Sequence, residues 1–194
     1  MRVPNVTPLS SAAVVGLGYI GLPTAVSLAT GGLEVTGVDV NPDIVERVNR
    51  GEAPFAEPDL SVAVSGAVAM GRLRAQQEMP QADAYVIAVP TPFAGDHQAD
   101  LSYVTEAAEA IADVLRGGEV IVLESTAPPG TTQRVSELIA ARRPDLHLPH
   151  LADITPDVHV AHCPERVLPG RVMIEIATND RVIGGLTPDR KSVV

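Results

Sequence analysis

The stretch "VVGLGYIGLP" places glycines at positions 16, 18 and 21. This is a G-x-G-x-x-G spacing, and its chemistry is the binding of an anion by main-chain N–H groups. Gly16 allows a tight turn, Gly18 lets the backbone approach a pyrophosphate, and Gly21 lets a helix lie close on a strand. The pyrophosphate charge then sits at the helix N-terminus. Spacing alone carries little weight. Here the glycines follow an apolar run and open a helical one, which is the context a dinucleotide site requires. Roughly 20 residues further on, "TGVDV" ends in Asp39 and Val40. The Asp39 carboxylate can accept hydrogen bonds from both adenosine ribose hydroxyls and would repel a 2′-phosphate, so NAD is expected rather than NADP. Reading the glycines as plain turn residues and Asp39 as a strand end leaves their shared register unexplained.

Three further stretches hold polar or constrained residues where apolar runs end. "AVPTPF" sets Thr91 between Pro90 and Pro92, "LESTAPPG" presents Ser125 and Thr126, and "HCPERVLPG" presents Cys163, Glu165, Arg166 and Val167. In an open α/β sheet ligands bind at the carboxyl ends of the strands, so these exits are expected to share one site. Cys163 is the chain's single cysteine. As a nucleophile it would need exposure and an activating base or cation. The adjacent Pro164, and an extended segment that puts Ala161 and His159 on the same face as Cys163, favour a packing role. Histidines pair as "HLPH" (147–150) and "HVAH" (159–162). Residues three apart in a strand point to opposite faces, so His159 and His162 are not expected to share zinc, and no metal site is expected.

These residues need a scaffold. "AAVVGLG" reads as a buried strand and "YIGLPTAVSLATGG" as a helix, with Ile20, Ala25, Leu28 and Ala29 on one face and Pro23 tolerated in the first turn. "LEVTGVDV" is a strand. Asn41 caps the next helix, with Pro42 at its first position and Gly51 beyond its end. "EPDLSVAVSGAVAMG" reads as a helix, "RLRAQQ" as a short strand and "ADAYVIAVP" as a buried strand. "LSYVTEAAEAIADVLRGG" is a helix, "EVIVLEST" a strand, and "TTQRVSELIAARR" a helix capped by Thr131. Residues 144–156 read as a loop; "DVHVAHCP" and "RVIGG" close the series as strands. The alternation predicts an α/β fold, a doubly wound parallel Rossmann-type sheet with helices on both faces.

Composition agrees. Aromatic residues make up only 3% of the chain and there is no Trp, which suits the Val, Ile, Leu and Ala core of a parallel sheet. The net charge of -10 argues against nucleic acid and anionic membrane surfaces as partners. One cysteine forms no internal disulfide, "MRVPNVTPLS" is too polar for a signal peptide, and no apolar run spans a bilayer. A cytoplasmic protein is the expectation.

"GLGYIGLP", "VDVN", "VPTPF", "ESTAPPGTT", "CPERVLPG" and "NDRVIGG", in this order, resemble the UDP-glucose/GDP-mannose dehydrogenase family over nearly the whole chain. The last two are most similar to its UDP-N-acetyl-D-mannosamine dehydrogenase branch. The resemblance implies an NAD-dependent, four-electron oxidation of the sugar C6 alcohol to a carboxylate, giving UDP-N-acetyl-D-mannosaminuronate. An aldehyde would be trapped by a cysteine as a thiohemiacetal, oxidised to a thioester and hydrolysed. It further implies that Tyr19 and Ile20 meet the NAD pyrophosphate through their backbone and that Asp39 holds ribose. Thr91 and Thr126 would line the dinucleotide, with Thr126 also near the hydrolytic water. Glu165 would position that water, and Arg166 and Val167 would meet the UDP-sugar substrate. The family's nucleophilic Cys, catalytic Lys and assisting Asn, its dimerisation helix and its UDP-binding domain lie beyond residue 194. Residues 1–186 are thus expected to form the NAD-binding domain and 187–194 to begin a linker, with a homodimer for the complete enzyme and no turnover for this part alone. The alternatives are a non-catalytic NAD(H)-binding module and another UDP-sugar 6-dehydrogenase of the family. Other Rossmann dehydrogenases share the glycine turn but not "CPERVLPG".

Overall fold

The computed structural model describes residues 8–95, 98–151 and 155–186. The expected linker at 187–194 lies outside the described residues. The chain runs β1 (Ser11–Val15), α1 (Gly21–Thr30), β2 (Glu34–Val38), α2 (Pro42–Asn49), α3 (Leu60–Ala69), β3 (Leu73–Gln76) and β4 (Ala84–Ile87). A small hairpin of β5 (Phe93–Ala94) and β6 (Gln98–Ala99) follows. The chain then continues through α4 (Ser102–Ala112), β7 (Val120–Leu123), α5 (Thr131–Arg142), β8 (His159–His162), α6 (Val172–Thr178) and β9 (Gly184–Gly185).

The main sheet has the order β3-β2-β1-β4-β7-β8-β9. All its pairings are parallel except the last, where β9 runs antiparallel to β8. The strand order reverses between β1 and β4, the switch point at which such sheets bind ligands.

Alternation along each strand divides the core in two. Ala13, Val15, Tyr85, Ile87, Ile121 and Leu123 point to the face covered by Val104, Ala108 and Ile111 of α4 and Val135 and Ile139 of α5. Val14, Val35 and Val86 point to the other face, under Leu22, Ala25 and Val26 of α1 and Leu60 and Val64 of α3. The doubly wound arrangement is therefore the expected one: strands buried on both faces have to be apolar throughout.

Local differences from the sequence expectation have physical causes. Asn41 does cap α2, accepting the Asp43 N–H at 3.0 Å. Thr131 is instead the first helical residue of α5. Its hydroxyl donates to the Pro128 carbonyl at 2.8 Å, and the cap position belongs to Gly130, whose φ of +90° is in the left-handed region. The last strand runs antiparallel to β8, and a seven-residue helix that the sequence reading does not contain, α6, lies between them. The β5–β6 hairpin lies beyond the Thr91 exit, where the sequence reading assigns no element.

The start of the sheet is fastened by one carboxylate. Asp83 Oδ2 accepts the Ser10 hydroxyl at 2.6 Å, the Ser10 N–H at 2.8 Å and the Ser11 N–H at 2.9 Å. These bonds, that from the Ser10 hydroxyl foremost, hold the Asp83 carboxyl down at about 2. A folded-state value below that of the unfolded chain means stability present above about pH 4 and lost as pH falls through the folded value. Asp83→Asn is expected to melt below the parent at neutral pH, with the gap closing as pH drops toward about 2. Thermal melts across pH check this; a gap independent of pH would remove the carboxylate from the fastening.

Candidate functional site

The turn between β1 and α1 is set by contacts that admit no side chain. A Cβ at Gly21 would stand 1.8 Å from the Gly16 carbonyl oxygen, and one at Gly16 (φ +91°) would stand 2.7 Å from the Ala88 oxygen. A Cβ at Gly18 would meet nothing within 4 Å. The first and third glycines thus serve packing, and the second keeps open space in front of the turn. Helix α1 begins at Gly21 without a side-chain cap; Leu22 N–H donates to the Gly18 carbonyl at 3.2 Å and Thr24 N–H to the Ile20 carbonyl at 3.0 Å.

In front of this turn lies a cavity of about 770 Å³, within the range of small-molecule sites. Among its lining residues are Gly16, Gly18, Tyr19, Ile20, Asp39, Thr91, Thr126 and Glu165, so eight of the sequence-predicted site residues meet in one place. Gly21 is buried behind the turn. Arg166 and Val167 lie outside this cavity; the Arg166 side chain donates to the Asp180 carbonyl at 3.3 Å. The apolar part of the wall comes from Val40, Ile44, Met79, Tyr103 and Ala107. An adenine-sized ring would suit that wall, and the glycine turn is open where a phosphate would approach. The residues present therefore fit a dinucleotide.

Asp39 is oriented by the backbone around it. Its Oδ2 accepts the Leu17 N–H at 2.8 Å and its Oδ1 the Asn41 N–H at 2.9 Å. Each oxygen keeps lone-pair capacity for a further donor. Thr91 donates to the Thr126 carbonyl at 2.7 Å, joining the β4 and β7 exits. Ser125 donates to the Val89 carbonyl at 2.7 Å, which turns Ser125 to a structural role.

The octet 163–170 is stitched down from several sides. Leu168 N–H donates to Glu175 of α6 at 2.8 Å, and the Arg166 carbonyl accepts Asn179 Nδ2 at 3.0 Å. Glu57 Oε2 accepts the Tyr19 hydroxyl at 2.6 Å and the Gly170 N–H at 3.1 Å, while its Oε1 accepts the Val172 N–H at 3.0 Å. The Tyr19 hydroxyl also accepts the Gly170 N–H at 3.1 Å. The hydrogen bond from Tyr19 holds the Glu57 carboxyl below the usual carboxylate range, and the same bond raises the Tyr19 hydroxyl. The glycine turn and the octet, 151 residues apart at Tyr19 and Gly170, are thereby clasped together.

Cys163 is buried at 5% exposure, as packing requires. The histidines go separate ways: His147 pairs with Asp157 at 2.9 Å, His150 with Ser136 at 2.7 Å, and His162 with the Ser125 carbonyl at 3.4 Å. Among the described residues no cluster of three His, Cys, Asp or Glu groups could hold a metal ion, and no helix is long and apolar enough to cross a membrane.

Sequence reading missed Glu57, Glu124 and Arg181. Glu124 ends a strand in "LEST", where a charged residue inside an apolar run was the available signal. Burial pushes its carboxyl up, against the hydrogen bonds from Thr24 and Arg181. Nothing in the spacing of Glu57 and Arg181 marked their partners.

Glu57→Ala is expected to speed amide exchange about tenfold at both Gly170 and Val172, the worth of a hydrogen bond to a charged group. Tyr19→Phe should act at Gly170 alone, since its hydroxyl accepts from Gly170 and not from Val172. Residue-resolved hydrogen exchange distinguishes the two; equal effects at both amides in Tyr19→Phe would count against the clasp.

Known proteins resemble this chain in sequence and fold. The chain is 55% identical to the NDP-N-acetyl-D-galactosaminuronic acid dehydrogenase of Ralstonia nicotianae and 53% identical to the UDP-N-acetyl-D-mannosamine dehydrogenase of Escherichia coli, in each case over 175 residues and 90% of this chain. It spans 41% and 42% of the length of those relatives. Among solved structures it superposes on the native UDP-N-acetyl-mannosamine dehydrogenase of Staphylococcus aureus with a TM-score of 0.84 and 36% identity, over 92% of this chain and 42% of that one. The sequence pattern described as "UDP-glucose/GDP-mannose dehydrogenase family, NAD binding domain" matches residues 10–194, and the chain belongs to that family through this domain.

Proposed function

We propose that this chain is the cofactor half of an NAD-dependent nucleotide-sugar 6-dehydrogenase, and that the complete enzyme oxidises UDP-N-acetyl-D-mannosamine to UDP-N-acetyl-D-mannosaminuronate. The observation that carries the reading is the cavity at the β1–β4 switch point. There the glycine turn, Asp39, Thr91, Thr126 and Glu165 share one wall. Gly16, Gly18 and Gly21 shape the turn, and the backbone of Tyr19 and Ile20 would meet the pyrophosphate. Asp39 would take the ribose hydroxyls, and its charge disfavours a 2′-phosphate. Thr91 and Thr126 would border the dinucleotide. When bound, NAD supplies the hydride acceptor, and two such transfers convert alcohol to carboxylate with water providing the second oxygen. Glu165, with Thr126 beside it, would hold that water for hydrolysis of a thioester on a cysteine outside this chain. Arg166 and Val167, outside the cofactor cavity, would meet the sugar nucleotide. The 53% identity to the Escherichia coli enzyme supports the mannosamine sugar. A galactosamine-series sugar is the second reading, favoured by the 55% identity to the Ralstonia nicotianae protein. A cytoplasmic, dimeric enzyme accompanies either reading.

Fluorescence titration of the 194-residue chain with NADH is expected to show binding, and assay with UDP-N-acetyl-D-mannosamine and NAD to show no turnover; absence of NADH binding would overturn the cofactor reading. Asp39→Ala should weaken NADH binding by about 1–3 kcal/mol, or 5- to 150-fold. Gly18→Ala should lower affinity at unchanged Tm. Gly21→Ala should lower Tm, because its Cβ would have to displace backbone, with overpacking costing about 1–3 kcal/mol. For the sugar, this chain would replace the matching segment of the Escherichia coli relative. The chimera is expected to turn over UDP-N-acetyl-D-mannosamine faster than UDP-N-acetyl-D-galactosamine; the reverse order would select the second reading.

A further inference from the structure

Buried carboxylates persist as anions only when a cation or several donors meet them. Two stand together at the cavity wall. The side chains of Glu124 and Glu165 are 2% and 4% exposed, and both residues line the cavity. Arg181 lies between them. Its Nη1 is 3.2 Å from Glu124 Oε1 and 3.9 Å from Cys163 Sγ. Its Nη2 forms an ion pair with Glu165 Oε2 and donates to the Ile176 carbonyl at 3.3 Å. The other Glu124 oxygen accepts the Thr24 hydroxyl of α1 at 2.9 Å.

The two oxygens of Glu165 are held differently. Oε1 accepts the Arg166 N–H at 2.8 Å. Among the described residues, Oε2 is met by the Arg181 guanidinium alone. Without that guanidinium, a buried carboxylate oxygen would face no cation, and the side chain would turn toward water. A guanidinium suits the task because its planar fork presents separate N–H groups to two carboxylates at once, whereas an ammonium acts as a single point charge. Arg181 itself is not part of the cavity wall, so it acts from behind on groups that are.

We infer that Arg181 is a positioning residue of the redox site: it clamps Glu165 at the cavity wall and ties it, through Glu124 and Thr24, to the helix that opens at the glycine turn. The inference rests on the reading of Glu165 given under Proposed function. It adds a link between the cofactor helix and the carboxylate that holds water. It also gives buried Cys163 a place, its sulfur accepting from Arg181 Nη1 at 3.9 Å.

Two measurements test it. In the 194-residue chain, Arg181→Ala is expected to speed exchange of the Arg166 amide roughly tenfold, the worth of a hydrogen bond to a charged group, while NADH affinity stays within about twofold of the parent; an unchanged Arg166 amide overturns the clamp. In the chimera, the same substitution is expected to lower kcat about 100-fold, the scale of a misplaced catalytic group, with KM for NAD little changed. Added guanidinium ion should restore part of that kcat, and urea at the same concentration should not. A loss that guanidinium leaves untouched, or that moves kcat and KM for NAD together, marks Arg181 as structural only. Should Arg181→Ala fail to fold, Arg181→Lys carries the test. It keeps the charge but not the fork, so Arg166 exchange should rise and kcat fall at near-parental Tm, and parental values of both overturn the proposal. If the parent chimera turns over neither sugar, the substrate reading fails, while the exchange measurement still decides the clamp.

Discussion

The approach of α1 to β1 is the constraint on which the site depends. With a Cβ at Gly21 falling 1.8 Å from the Gly16 oxygen, backbone rests on backbone, and only glycine permits it. This contact brings the first turn of the helix to the carboxyl edge of the central strand. There the positive end of the helix and the open space at Gly18 form a surface for an anion. Moving the helix outward by the thickness of a methyl group would leave the strands intact and remove that surface. The same close contact aligns Thr24, one turn along α1, with Glu124 at the end of β7.

The sheet explains why polar chemistry gathers at one edge. Parallel strands covered on both faces favour apolar side chains along their length, and the two cores, one under α1 and α3 and the other under α4 and α5, fill both faces. Polar groups are tolerated where strands end, and successive parallel strands end on the same side. Asp39, Thr91, Thr126 and Glu165 converge for that reason. Charges around the site come in partnered sets: Arg181 with Glu124 and Glu165, and Glu57 with Tyr19 and the backbone of Gly170 and Val172. Both sets join the cofactor turn to the octet, one from beneath and one from the flank.

The fold was largely legible. Apolar runs alternating with helical periods led to a doubly wound sheet, and the glycine spacing located its switch point. Pro42 and Asn41 gave the start of α2 because a cap is a local interaction between near neighbours. What escaped was short or held from afar. Helix α6 has seven residues, too few for its period to show, and its anchors, Glu175 to Leu168 N–H and Asn179 to the Arg166 carbonyl, are tertiary. Thr131 has the composition of a cap, yet its hydroxyl turned back to Pro128 because Gly130 had already taken the left-handed cap position.

Residue type and spacing along the chain determined the class of fold, the dinucleotide turn and the polar strand ends, because each depends on a period or a backbone conformation that a few neighbouring residues dictate. Which of those polar residues share a cavity, and which cation steadies them, was decided by the tertiary structure. Arg181 meets Glu124 across 57 residues, and Tyr19 meets Gly170 across 151. No local rule pairs them. The desolvation of a charge selects its partner only when the sheet has closed around both.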